Sequence, residues 1–532
     1  MTKPYTSITT RHVPVSDPIP GTVPNSTGGF SFPVDDWTRL SRFLILGSEG
    51  GSYYSGEPTL TKENADALLR CIKADGQRVV DLITEISVQG RNPKQAPIMF
   101  ALAACSGAED VATRQAALAA LPKVARTGTM LFQFVGYAEQ FRGWGRSLRN
   151  AVAHWYIERD SRDLAFQVAK YQQREGWSHR DLLRLSKPRP ERNSQMDSVL
   201  RWAVGKTEPG DDTGDSFLQA VDEVRKLDVK SKSDRKRVVD LVEMFRLPWE
   251  VLPSEFLNVP EVWHAMLPTM GLGALVRNLG RLTANGTIVP MSGVENLIVA
   301  RLINQEQISR SRIHPLNVLT AAVTYAQGQG FRGDLRWQPS NKILGALDAT
   351  FANAFLNVEA AEKRTLVALD VSGSMDGSRI ANTFVSARAA SSAMALVTLA
   401  TEPYTAVMAF SGGFVPVGLH AGMSLAAAVT MTNRMPFDST DCSLPMKWAT
   451  KHNVEVDTFA IYTDSEVNRG THAAKDVEAY RQRTGIPAKL VVVGMTANRF
   501  SIADPRDAGM LDVVGFDSAA PGLIADFSAG RV

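Results

Sequence analysis

The period of the hydrophobic pattern changes near residue 360, and this change restricts the 532-residue chain to two architectures joined in sequence. Before it, apolar residues recur at helical spacing: Ala65, Leu68, Leu69 and Ile72 fall on one helical face, with Gly76 where a helix would stop. Val79, Leu82, Ile83 and Ile86 repeat the stripe, closed by Gly90 and Pro93. Ala96 to Ala104 and Val111 to Leu121 read as a further pair. Short helices joined by short turns bury their apolar faces only against their neighbours, as in a solenoid of helical hairpins. This pattern runs to about Phe355, and the charged stretch Glu359 to Arg364 follows. Then come Thr365 to Leu369, Thr405 to Phe410, Thr458 to Tyr462 and Leu490 to Val493, short apolar runs separated by helical patterns. Such runs are expected of parallel strands covered on both faces, in a doubly wound α/β sheet.

Length agrees, since a single core stops growing near about 250 to 300 residues. The expected division is 1–32 as a flexible extension, 33–360 as the helical body and 361–532 as the α/β domain. The extension carries Pro14, Pro18, Pro20 and Pro24 but no apolar core of signal-peptide type. Nowhere do about 18 apolar residues run together, so no membrane span is expected. Cys71, Cys105 and Cys442 are odd in number and never paired as C-x-x-C, against both a disulfide framework and a cysteine zinc site. A cytoplasmic protein is expected.

The first strand runs into Asp370-Val371-Ser372-Gly373-Ser374, a D-x-S-x-S pattern on a strand-to-helix turn. In open α/β sheets ligands bind beyond the carboxyl ends of the strands. Oxygen-bearing side chains at alternate positions can converge there on one hard cation, and Gly373 is expected to let the loop bend. Two more oxygens are expected from Thr440, in Ser439-Thr440-Asp441-Cys442, and from Asp464 at the end of the strand Thr458 to Tyr462. Asp370, Ser372, Ser374, Thr440 and Asp464 together resemble the metal-ion-dependent adhesion site of von Willebrand factor A domains. That resemblance implies one divalent cation, Mg²⁺ first, with Mn²⁺ or Ca²⁺ as alternatives, and an open position for an acidic group of a partner. Taken alone, D-x-S-x-S also suits a helix cap, and Asp441 reads as a cap. No paired general base or activated nucleophile stands nearby, so no enzyme is expected.

The net charge of +3 is unevenly spread. Lys123 to Lys206 holds 16 basic against 8 acidic residues, a balance of +8, whereas Ala361 to Val532 holds 15 against 17, or −2. Within the basic stretch, Lys170 to Lys187 reads as helix, turn at Gly176, helix. Lys170 and Arg174 lie four apart, as do Arg180 and Arg184, with Lys187 a turn later and Leu182, Leu183 and Leu185 as the buried side. Cationic ridges of this kind neutralise phosphates, although a solvated helix face with internal ion pairs has the same pattern. Arg142, Arg146 and Arg149 are further candidates for a single-stranded channel, while Phe141 and Trp144 read first as core aromatics.

This segment, KYQQREGWSHRDLLRLS, resembles the Ro autoantigen family. So do Phe43 to Tyr54, Val276 to Gly280, Pro487 to Leu490 and Gly494 to Thr496, so that similar stretches run from about Phe43 to Phe527. The resemblance implies a ring of HEAT-like helical repeats, the TROVE fold, followed by a von Willebrand factor A domain. It also implies two RNA ligands: small structured Y RNAs on a basic outer surface, and single-stranded 3′ ends of misfolded RNAs in a central hole. On the matching positions, Lys170 and Arg174 would contact RNA; Lys187 stands where family members often have His. The function so implied is noncoding-RNA quality control and RNA maturation or turnover, with exoribonucleases under stress and without DNA specificity. The alternative from a different class is a metal-dependent protein adaptor, and a metal-dependent nuclease is weaker because the site offers mainly hydroxyls.

Overall fold

The structure is a computed structural model that describes residues 23–24, 30–47, 52–54, 65–92, 94–190, 193–206, 215–380, 383–410, 412–435, 440–464, 473–496, 502–504, 506–516 and 520–532. Most of the expected N-terminal extension and Pro93 lie outside these residues. The chain forms two compact units, one of residues 60–275 and 281–294, the other of 1–59, 276–280 and 295–532.

In the first unit, helices stack in overlapping layers. Helix Asp66–Gln89 packs on Ala96–Ser106 and Val111–Val124, Ala96–Ser106 on Gly128–Phe141, Val111–Val124 on Arg146–Ile157, and Arg146–Ile157 on His179–Ser186. Each layer covers the apolar stripe of the one before it. Ala96–Ser106 is apolar all round and buried along most of its length, as suits a middle layer. Short polar side chains start the helices: Asp110, Thr127, Asp160, Ser178, Asn193, Asp215 and Ser231 each accept a hydrogen bond from a first-turn amide.

The break expected at Gly76 falls at its neighbour Asp75, where two helices meet. Asp75 has non-helical φ −158° and ψ 84°, and the second helix runs from there to Gln89, where Gly90 in the left-handed region closes it. Gly76 is also a point of close approach, since a Cβ there would overlap the Thr113 side chain.

The second unit contains a seven-stranded sheet. We label its strands β1 (Ser52–Tyr54), β2 (Thr365–Asp370), β3 (Thr405–Phe410), β4 (Phe414–Pro416), β5 (Thr458–Thr463), β6 (Lys489–Gly494) and β7 (Met510–Val514). Their spatial order is β1-β7-β6-β5-β2-β3-β4, parallel except for the β3–β4 hairpin at one edge. Central strands β2 and β5 are buried at every position, so their sequences are continuously apolar rather than alternating. Leu366, Phe459, Ile461, Tyr480, Leu490 and Val492 build the core on one face.

The second unit reaches beyond the stretch that reads as α/β in sequence. Helix Pro315–Ala326 packs on Asn341–Asn353 and on Ala387–Thr401, so the helices just before residue 360 join the sheet unit. The far edge is completed by β1, with Ser52, Tyr53 and Tyr54 pairing with Asp512, Val513 and Val514. Helix Asp36–Leu46 is fixed beside it by the buried Arg42 guanidinium, which donates to Ala508 O at 2.6 Å.

Candidate functional site

Strand order places the oxygen cluster. From β2 the chain proceeds to β3 and β4 on one side, then crosses to β5, β6 and β7 on the other. The crevice at this switch lies beyond the carboxyl ends of β2 and β5, where Asp370 and Asp464 stand. Leu369 pairs with Tyr462, which brings Thr463 beside Asp370.

Asp370 is buried, with one carboxylate oxygen accepting from Ser372 N at 2.8 Å and the other from Thr463 Oγ1 at 2.8 Å. Ser372 Oγ and Ser374 Oγ lie 3.0 Å apart, so the two hydroxyls of the motif converge. Burial pushes the Asp370 carboxyl above its ordinary value; hydrogen bonds from Ser372 and Thr463 oppose the shift and the Asp464 charge adds to it. Thr440 and Asp464 are also buried. Burial and then the charges of Asp370, Asp441 and Asp464 push up the thiol of Cys442, two residues after Thr440. Asp370, Ser372, Ser374 and Asp464 thus come to one end of the sheet, and Thr440 is buried two residues before Cys442.

Two partners were missed in sequence. Thr463 carried no signal until strand register put it next to Asp370. Arg388, on helix Ala387–Thr401, is buried behind the loop and donates to Val371 O at 3.3 Å, Ser372 O at 2.9 Å and Thr432 O at 3.1 Å. Gly373 departs from expectation: at φ −61° and ψ −30° it occupies the ordinary helical region, and the bend is made by a short helix, Ser374–Gly377. Asp441 is not the helix cap it resembled: it accepts from the amide and hydroxyl of Ser443, and Ser443 itself, without a side-chain cap bond, opens helix Leu444–His452. Two carboxylates and three hydroxyls, largely withdrawn from bulk water, form a donor set suited to a hard divalent cation.

The basic segment differs more. Lys170 ends helix Ser161–Lys170, but Arg174 belongs to a two-residue hairpin in which Gln173 pairs with Ser178 and Arg174 with Trp177. Glu175 and Gly176 both have positive φ, 53° and 77°, the tight-turn geometry that matches strand twist. Ser178 and Asp181 then form a capping box that starts helix His179–Ser186. Lys170 and Arg174 therefore do not share a helical face. Lys170 is half-buried and paired with Glu250 at 3.0 Å. Arg180 and Arg184 share the exposed face opposite Leu182 and Leu183, with Leu185 half-buried, and Lys187 is the exposed left-handed cap. Among the described residues, Arg174, Arg180, Arg184 and Lys187 have no carboxylate in ion-pair range. Arg142 turns inward to Ser106 O at 2.7 Å and Ser147 Oγ at 2.8 Å, whereas Arg146 and Arg149 are exposed. Phe141 packs edge-on against Phe100, as a core aromatic would.

A helical array followed by a doubly wound sheet with this oxygen cluster defines a two-part protein of TROVE and von Willebrand factor A type. The TROVE domain family matches residues 23–247 and 246–324, and the Ro60 vWA domain family matches 364–528. A Caenorhabditis elegans protein described as RNA-binding protein RO60 is 36% identical over 590 residues, covering 96% of this chain and 91% of its own length. A Deinococcus radiodurans protein of the same description is 38% identical, covering 96% of each chain. The crystal structure of the Deinococcus radiodurans RO (RSR) protein superposes with a TM-score of 0.86 at 37% identity, over 94% of this chain and 100% of that one. The chain belongs to the Ro family.

Proposed function

We propose that the protein binds RNA through the cationic hairpin and helix at 173–187. One observation carries this reading: Arg174, Arg180, Arg184 and Lys187 are exposed along one short segment, without carboxylate partners among the described residues. Charges held in this way bind phosphates by releasing counterions. The descriptions of the relatives as RNA-binding proteins support it. The ligands are small structured Y RNAs and misfolded or single-stranded RNA 3′ ends. The role is in noncoding-RNA quality control and maturation or turnover in the cytoplasm, with exoribonucleases as partners and no catalysis by the protein itself. RNA crosslinked to the protein in cells, sequenced and mapped, should be small and structured, with attachment points within 173–187. Attachment confined to other surfaces would overturn the reading.

In the α/β unit, Asp370, Ser372, Ser374, Thr440 and Asp464 would hold one divalent cation, Mg²⁺ first, with Mn²⁺ and Ca²⁺ as alternatives that suit the same oxygen-only donor set. Bound there, the cation would offer a coordination position to an acidic group. Thr463 orients Asp370, and Arg388 holds the loop from behind. A second reading, a metal-dependent protein adaptor, is favoured by this buried cluster of oxygens. It requires partner capture to be lost on chelation or with Asp370→Ala, and an interaction that survives both would remove it.

A further inference from the structure

We propose that Trp144 and Trp177 form a stacking shelf for an unpaired RNA base, with Arg174 and Arg146 taking the flanking phosphates. The inference rests on the RNA-binding reading and specifies what one part of that surface recognises.

Hairpin register supplies the first observation. Arg174 and Trp177 are direct cross-strand partners, and partners in an antiparallel ladder project to the same face. The Arg174 guanidinium, exposed, therefore leaves the hairpin beside the Trp177 indole. Trp177 meets Trp144, with ring centroids 5.8 Å apart and planes tilted by 53°. Trp144 sits in the turn between helices Gly128–Phe141 and Arg146–Ile157, two residues before the exposed Arg146. Arg174 thus neighbours Trp177, Trp177 meets Trp144, and the exposed Arg146 follows Trp144 by two residues.

Burial supplies the second. Trp155 and Trp263 in the same unit are 0% exposed, and their indole N–H groups donate to Ala125 O and Leu257 O. Those are core tryptophans. Trp144 and Trp177 are only half-buried, which leaves apolar ring surface at the boundary with water. They are nonetheless held in place. Trp144 Nε1 donates to Glu139 at 3.1 Å, and Trp177 lies over Gly136, where a Cβ would stand 3.7 Å from its Nε1. Trp177 Nε1 has no acceptor among the described residues and is available to a ligand. Fixed, partly exposed rings between unpaired cations suit single-stranded nucleic acid, because every base has a π-face and each phosphate a charge. A base inside a duplex offers no free face, so the ligand is a loop, a bulge or a single-stranded tail.

The test compares a short oligouridine with a blunt-ended RNA duplex on the full chain. Trp144→Ala should weaken oligouridine binding by about tenfold or more, at unchanged salt dependence, and leave duplex binding unaltered. Trp144→Phe should restore most of the loss, because Phe stacks but cannot donate to Glu139. Oligouridine should also quench the intrinsic tryptophan fluorescence. Unchanged oligouridine affinity, equal loss for both RNAs, or Phe no better than Ala would overturn the shelf. A wild-type protein that binds the duplex alone would refute the shelf and leave RNA binding standing; one that binds neither RNA would refute both.

Discussion

The structure ranks the candidate cations, and the ranking can be measured as a salt dependence. Each phosphate neutralised by Lys or Arg contributes about 0.7 to 0.9 to the slope of log affinity against log salt. Arg174, Arg180, Arg184 and Lys187 are exposed and lack carboxylate partners among the described residues, so together they account for a slope of about 2.8 to 3.6. Over a fourfold rise in salt, that is about 50- to 150-fold in affinity. A variant with all four changed to Ala, titrated by fluorescence anisotropy with a small structured RNA, should show a curve flatter by that amount. Lys170 behaves differently because Glu250 stands 3.0 Å from it and already neutralises it. Lys170→Ala should change the slope by well under one, and Glu250→Gln should tighten binding by releasing the lysine. An unchanged slope in the folded quadruple variant, or Lys170→Ala giving the larger effect, would refute the argument.

Gly76→Ala should destabilise the helical unit by about 1–3 kcal/mol in urea titration, because the new Cβ overlaps a Thr113 side chain whose hydroxyl is tied to Asp110 at 2.7 Å. Burial holds the His179 imidazole down at about 3, outweighing a hydrogen-bond contribution from Gln167 that raises it. The unfolded chain takes up that proton near about 6.5, so stability should be full above that pH and fall as pH drops towards about 3, at about 1.4 kcal/mol per unit. His179→Gln should flatten the pH dependence of melting; an identical profile would contradict the assignment. Asp507→Ala strands the buried Arg481 and should cost about 3–5 kcal/mol, whereas Asp504→Ala, beside the exposed Arg506, should cost about 1 kcal/mol or less by the same denaturation assay. Mg²⁺ at about 100 times its dissociation constant should stabilise the protein by about 2.7 kcal/mol in thermal melts, and Asp370→Ala should abolish the shift. An equal shift in the variant would place the ion elsewhere.

Local pattern carried much of the architecture. The stripe from Val79 to Ile86, the closing Gly90 and the four apolar runs from Thr365 to Val493 fall in the helices and strands they suggested. The D-x-S-x-S turn was legible for the same reason: strand, loop and oxygens are contiguous in the chain. Strand β7 was missed, its Asp512 interrupting the apolar run in Met510–Val514. The hairpin at 173–178 was also missed, because its four paired residues sit between two helices and only the Glu175-Gly176 turn distinguishes them from a continuous helical pattern.

The sequence by itself determined which segments coil, which extend and where the acidic and hydroxyl groups end a strand, since those properties follow from residues within a few positions of one another. Tertiary structure alone decided that Ser52 to Tyr54 would complete a sheet otherwise built after residue 360, as Arg42 reaches Ala508 across 466 positions. It also decided that Glu250 would occupy Lys170, that Arg142 would turn inward, and that Thr463 would support Asp370. Whether a charge is spent inside the molecule or offered to a ligand depends on what the fold brings against it from a distance, and no local period encodes that.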